Sequence, residues 1–219
     1  DLTIKNIEIS NKFLRYKINV KLMKKMIKSK ILSITRRSKY LFINLNNGHT
    51  IMVHLGMTGK FVIVDDNKNE HKTSFYYNLI DTKPAHNHLK FKFNKKIILI
   101  YNDVRKFGFI KIFKTKDILF SPHILNLGPE PLSKEFNFDY FKKNIKKRKL
   151  FLKDLLMNQK FVSGLGNIYV NEAIFLSKLS PKIIVKDISN KKIFTLITSI
   201  KKVLAKAIKK GGSSINNFN

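Results

Sequence analysis

The chain has 219 residues, 44 of them lysine or arginine against 14 acidic, for a formal net charge of +30. A self-repelling charge of that size disfavours neutral or cationic partners and points to a polyanion, nucleic acid first. The absence of cysteine excludes disulfides and thiolate-ligated zinc within these residues, and no apolar run reaches the ~18 residues of a membrane span.

Only five of the 44 basic residues are arginine (Arg15, Arg36, Arg37, Arg105 and Arg148). Lys, Ile, Asn and Phe are abundant together, as codon drift toward A and T would produce, so part of the basicity is compositional. Drift of that kind does not place arginines. The length allows two small domains.

In chain order, residues 3–9, 30–38, 40–45, 50–56, 60–65, 88–93, 96–101 and 107–113 are short, β-branched or aromatic, and often alternating, which predicts strands. Asn46-Asn47-Gly48 and Asn94-Lys95-Lys96 read as hairpin connections. Residues 20–29 (VKLMKKMIKS) predict a helix, and the polar stretch 66–87 predicts a long loop. Beyond about residue 115 the apolar spacing becomes helical, over 138–147, over 149–158 and again from Asn167, which is a good N-cap. A last long helix starts at Asp187 or Ser189 and is closed by Gly211-Gly212. Strands first and helices later predict an α+β chain: a β domain over 1–116 and a helical domain over 117–219.

Four stretches carry candidate chemistry. TRRSKYLFI (35–43) brings a basic cluster into a strand; alternation would put Arg37 and Lys39 opposite Ser38 and Tyr40, either to meet a phosphate or as a solvated strand end. HLGMTGKF (54–61) sets Met57 between two glycines, as an apolar wedge for a base stack or as core. In YNDVRKFGF (101–109), Arg105 and Phe107 offer one base-edge donor beside one stacking ring, while Asp103 could simply pair with Arg105 at the surface. Finally, NQKFVSGLGNIYVNEAIF (158–175) interrupts two helical segments with Gly164 and Gly166. Such a turn leaves backbone N–H groups suited to a phosphate, or is an ordinary glycine-capped hairpin. His86 and His88 are two apart, with no third metal ligand evident.

Together with LGPEPLS (127–133) and GGSSINNF (211–218), these blocks in this order resemble the formamidopyrimidine-DNA glycosylases, repair enzymes for oxidised purines, over nearly the whole chain. The resemblance implies an N-terminal antiparallel β-sandwich domain and a helical domain with a helix–two-turn–helix motif, binding double-stranded DNA that holds oxidised bases or abasic sites. By similarity Met57, Arg105 and Phe107 insert into the base stack, with Arg105 on the orphaned cytosine. Lys39 binds phosphate and donates a proton in strand cleavage, while His54, His86, Arg105, Arg148, Lys153 and Asn167 contact DNA. The family's reaction is glycosylase and abasic-site lyase chemistry through an N-terminal proline amine, a Schiff base and a nearby glutamate.

That proline segment precedes the point where Asp1 aligns, and the four-cysteine zinc finger lies beyond Asn219. The expectation is therefore a clamp without its nucleophile and without a cofactor, a monomer of the bacterial cytoplasm and no membrane. A damage-binding form that does not cut is the alternative. A generic RNA-binding protein with codon-driven charge is a third reading, which the ordered motifs disfavour.

Overall fold

The computed structural model describes residues 2–65, 70–72 and 83–212, with side chains described outside 70–72. Two compact units meet in the chain at Ser121 and Pro122.

Among the described residues the first unit holds nine strands and one short α-helix: β1 (Ile4–Ile9), α1 (Val20–Lys24), β2 (Ile31–Arg37), β3 (Tyr40–Leu45), β4 (His49–His54), β5 (Lys60–Val64), β6 (Glu70–Lys72), β7 (Asn87–Phe93), β8 (Ile98–Asn102) and β9 (Phe109–Lys114). All pair antiparallel, in sheets ordered β1-β7-β8-β5-β6 and β2-β3-β4-β9. Ile4, Leu89, Phe91 and Tyr101 of one sheet share a buried cluster with Ile43, Ile51, Val53 and Ile110 of the other. The sheets therefore form a sandwich, and in β7 the alternation read in the sequence gives the inward face, whereas β2 leaves Leu32 and Ile34 exposed.

The predicted helix 20–29 shrinks to Val20–Lys24, capped by the Asn19 side chain. Lys28 takes a φ of 72° and its N–H bonds Ile4 O, which ends the helical run. The predicted loop 66–87 contains strand β6 and a 3-10 turn at Pro84–His86; residues 66–69 and 73–82 of it lie outside the described residues.

The second unit comprises α2 (Phe138–Ile145), α3 (Leu152–Met157), α4 (Asn167–Leu176) and α5 (Asn190–Lys209). Asn137 caps α2 and Ser189 caps α5 through their side-chain oxygens. Phe136, Phe141 and Phe161 meet edge to face in its core, with Leu152, Leu155, Val170 and Leu196 fully buried around them. The first unit is thus held by cross-strand pairing and the second by helix burial, the α+β arrangement that the chain order predicts.

Candidate nucleic-acid interface

In the first unit, an open groove of about 730 Å³ is lined by Arg15, Lys39, His54, Gly56, Met57, Arg105, Lys106 and Phe107. Three of the four sequence stretches thus converge. Met57 lies on the β4–β5 connection and is 67% exposed, so it is a surface residue and not core. Arg105 and Phe107 lie on the loop between β8 and β9, with the guanidinium 4.4 Å from the Phe107 ring centroid. An Arg105 Nη also approaches Met57 Sδ at 3.4 Å. A cation over a ring face and beside a polarisable sulfur is a preformed three-residue cluster.

The cluster stands on a buried carboxylate. Asp103 is fully buried, accepts from Thr58 Oγ1 at 2.5 Å and Tyr101 Oη at 3.2 Å, and takes the Gly108 N–H at 2.8 Å. Its carbonyl meets His88 Nε2 at 2.7 Å. The surface pairing of Asp103 with Arg105 that the sequence allows does not occur. Arg105 contributes only its backbone, whose N–H donates to Thr58 Oγ1 at 3.1 Å. Burial, then the neighbouring Asp103 charge, pushes the Tyr101 phenol far above its ordinary value, so it stays a donor.

Lys39 is not on a strand. Arg37 pairs with Tyr40, so Ser38 and Lys39 form a two-residue hairpin turn with Ser38 at φ 57°, and alternation does not apply to them. The turn swings Lys39 to the groove. Crowding by protein atoms strips water from its ammonium and lowers its pKa, although the side chain still reaches solvent. His54 Nδ1 accepts the Gly56 N–H at 3.0 Å and its ring stacks on Phe109 at 5.5 Å. Arg15, which motif reading passed over, stands near enough to Tyr40 to oppose the upward push that burial gives that phenol. His86 sits in the 3-10 turn before β7, whereas His88 is buried against Asp103, so the two do not form a metal pair. No three His, Cys, Asp or Glu gather among the described residues.

The second unit carries the glycine hinge. Gly166, not Asn167, is the N-cap of α4, and no side chain caps it. Asn167 is exposed as the first helical residue, and the N–H groups of Asn167, Ile168 and Tyr169 make no hydrogen bond among the described residues. These orphan donors at a helix start form an anion-binding end. Gly164, at φ 91°, makes the turn that aims them. Gln159 fastens that turn: its Oε1 accepts the Gly164 N–H at 2.8 Å and its Nε2 donates to Leu165 O at 2.9 Å.

The LGPEPLS stretch packs behind the same turn, with the Gly128 N–H on Gln159 O and the Ser163 N–H on Pro129 O. Lys153, half buried on α3, and Arg148, exposed after α2, belong to this unit and not to the groove.

A family model for the formamidopyrimidine-DNA glycosylase N-terminal domain matches residues 1–110, and one for the formamidopyrimidine-DNA glycosylase H2TH domain matches 127–219. The formamidopyrimidine-DNA glycosylase of Rickettsia bellii is 37% identical over 217 residues, 99% of this chain and 74% of the relative. That of Rickettsia felis is 36% identical over 218 residues, covering 100% and 74%. The Lactococcus lactis enzyme solved with DNA containing an abasic site superposes with a TM-score of 0.82 at 33% identity, over 97% of this chain and 73% of that one. A second structure from that organism, with DNA containing Fapy-dG, gives 0.83 at 32% identity over 99% and 75%. With both domains matched in order and the fold shared, the chain belongs to the formamidopyrimidine-DNA glycosylase family, the DNA glycosylases of base excision repair.

Proposed function

We propose that the chain engages duplex DNA at oxidised purines, formamidopyrimidine and 8-oxoguanine, for base removal with associated abasic-site lyase cleavage. The observation that carries this reading is the groove, where Met57, Arg105 and Phe107 are already assembled beside Lys39 and His54. A flipped nucleotide leaves an unpaired base and a gap. Met57 and Phe107 supply apolar fill for the gap, and Arg105 supplies donors for the orphaned cytosine.

Lys39, on the groove lining, would bind a phosphate next to the extruded sugar. Its lowered pKa makes it a readier proton donor, as elimination of the phosphate from a Schiff-base sugar requires. His54 and His86 add contacts in the first unit; Arg148, Lys153 and the α4 start at Asn167 do so in the second. The protein acts as a monomer in the bacterial cytoplasm, on the nucleoid. No helix among the described residues is long and apolar enough to cross a membrane.

The test is gel-shift binding on duplexes with 8-oxoguanine opposite cytosine, with an abasic analogue and without damage, run with borohydride in the same tube. Preference for the damaged duplexes with a trapped adduct supports glycosylase and lyase action together. Preference without an adduct supports the second reading, a clamp that recognises damage and does not cut. Equal binding to all three overturns both.

A further inference from the structure

We propose that Asp103 is the positioning residue that makes the two probe loops one unit, and that choice of the opposite base depends on it through Arg105. The inference rests on the reading of Arg105 as the base-contacting group.

Both loops connect the two sheets, 55–59 from β4 to β5 and 103–108 from β8 to β9. Asp103 joins them. One carboxylate oxygen takes the Thr58 hydroxyl of the first loop, and the other takes the Gly108 N–H that closes the second. Thr58 then relays the restraint, because its oxygen also accepts the Arg105 N–H. The Arg105 backbone is therefore tied to the loop that carries Met57, and the guanidinium meets Met57 Sδ from the same anchor.

Among the described residues the Asp103 carboxylate accepts from a hydroxyl, a phenol and a backbone N–H, with no cationic side chain bonded to it, and the residue is fully buried. A buried carboxylate without a cation is costly to keep for packing alone. Two of the three donors, Thr58 and Gly108, lie on the probe loops, and the third, Tyr101, fixes the carboxylate to β8. Arginine reads a base edge bidentately only when its fork is aimed, so losing the aim removes discrimination before it removes affinity.

The experiment measures binding of the full chain to an abasic-analogue duplex with cytosine or adenine opposite, together with a thermal melt. Four variants are compared with the parent: Thr58→Val, Thr58→Ser, Asp103→Asn and Arg105→Ala. The parent should prefer cytosine by about tenfold or more, the discrimination of a good bidentate pair. Thr58→Val and Asp103→Asn should fall to within about twofold, as Arg105→Ala does, while Thr58→Ser keeps the preference. Thr58→Val should change nothing further in an Arg105→Ala background, a result that general loosening would not give.

Should Asp103→Asn fail to fold, the Thr58 pair decides. A Thr58→Val protein that keeps the parent's preference overturns the proposal. A parent without any preference overturns instead the reading of Arg105 on which it rests.

Discussion

Gly108→Ala tests the packing beneath the probe loops. A Cβ at that position would lie 1.9 Å from Tyr101 Oη, 2.6 Å from His54 O and 3.0 Å from Leu55 O. None of the three yields cheaply: Tyr101 is fully buried and bonded to Asp103, and the other two atoms are backbone. Overpacking a fixed core costs about 1–3 kcal/mol. Displacing Tyr101 or the Gly108 N–H from the carboxylate adds about 1.5–3 kcal/mol for a hydrogen bond to a charged group. The expected loss is thus about 2.5–6 kcal/mol, a large share of the ~5–15 kcal/mol typical of a domain.

Urea unfolding followed by tyrosine fluorescence measures it. Tyr101→Phe deletes the nearest clashing atom, so Gly108→Ala/Tyr101→Phe should be less destabilised than the sum of the singles by at least about 1 kcal/mol. The carbonyl contact at 2.6 Å remains and keeps the rescue partial. A Gly108→Ala cost below about 1 kcal/mol, or strict additivity, would refute the proposed packing.

Asn167→Asp should act in two directions. A negative charge at the α4 start favours the helix by about 0.3–1 kcal/mol, and the same charge repels phosphate, so the melting point rises while duplex affinity falls about tenfold. Unchanged affinity would show that this helix end meets no phosphate. Arg105→Lys should behave like Arg105→Ala in opposite-base preference, because an ammonium lacks the planar fork; competition between duplexes with cytosine and adenine opposite reads this out. Lys39 gives a pH signature with opposite signs for folding and binding. Its folded pKa lies below the ordinary 10.5, so the unfolded chain holds more protons in the window between the two values and this group's contribution to stability rises with pH there. Phosphate binding needs the ammonium, so the affinity gap between the parent and Lys39→Met should close as pH climbs through that lowered value. A gap that stays constant up to 10.5 would remove Lys39 from the contact.

The strands were legible because Ile, Val and Phe alternate along them, and the ends of α2 and α5 because Asn137 and Ser189 are good caps. What spacing could not give was the depth of a side chain. Asp103 beside Arg105 looks like a surface pair in one dimension, and only the approach of Thr58, 45 positions earlier, makes it a buried hub. The alternation across 37–40 fails at Ser38 and Lys39 because Ser-Lys carries no turn signal, and Ser38 takes a left-handed conformation that its type rarely adopts. The cap of α4 was misplaced by one residue, since Asn caps better than Gly by propensity. The displacement has a consequence: an Asn167 spent on capping would not present its amide outward. Gln159 was missed because an amide folding back on its own turn leaves no periodic trace.

Charge and precision are divided between different residues in this protein. The exposed lysines are interchangeable in kind: each adds a screened, sequence-independent attraction to a polyanion, and compositional drift can add or remove them at little cost. Discrimination cannot come from such groups, because a flexible ammonium on solvent has no fixed direction. The groups that have direction are few and are held from below by buried or half-buried polar contacts. Arg105 is tied through Thr58 to Asp103, and the α4 start is aimed by Gly164 under Gln159. Both supports are polar and at least partly buried, where a hydrogen bond is not screened by salt. In the proposed reading, the broad attraction of a chain with a formal net charge of +30 and the aim of its few anchored groups are therefore separate contributions to DNA binding.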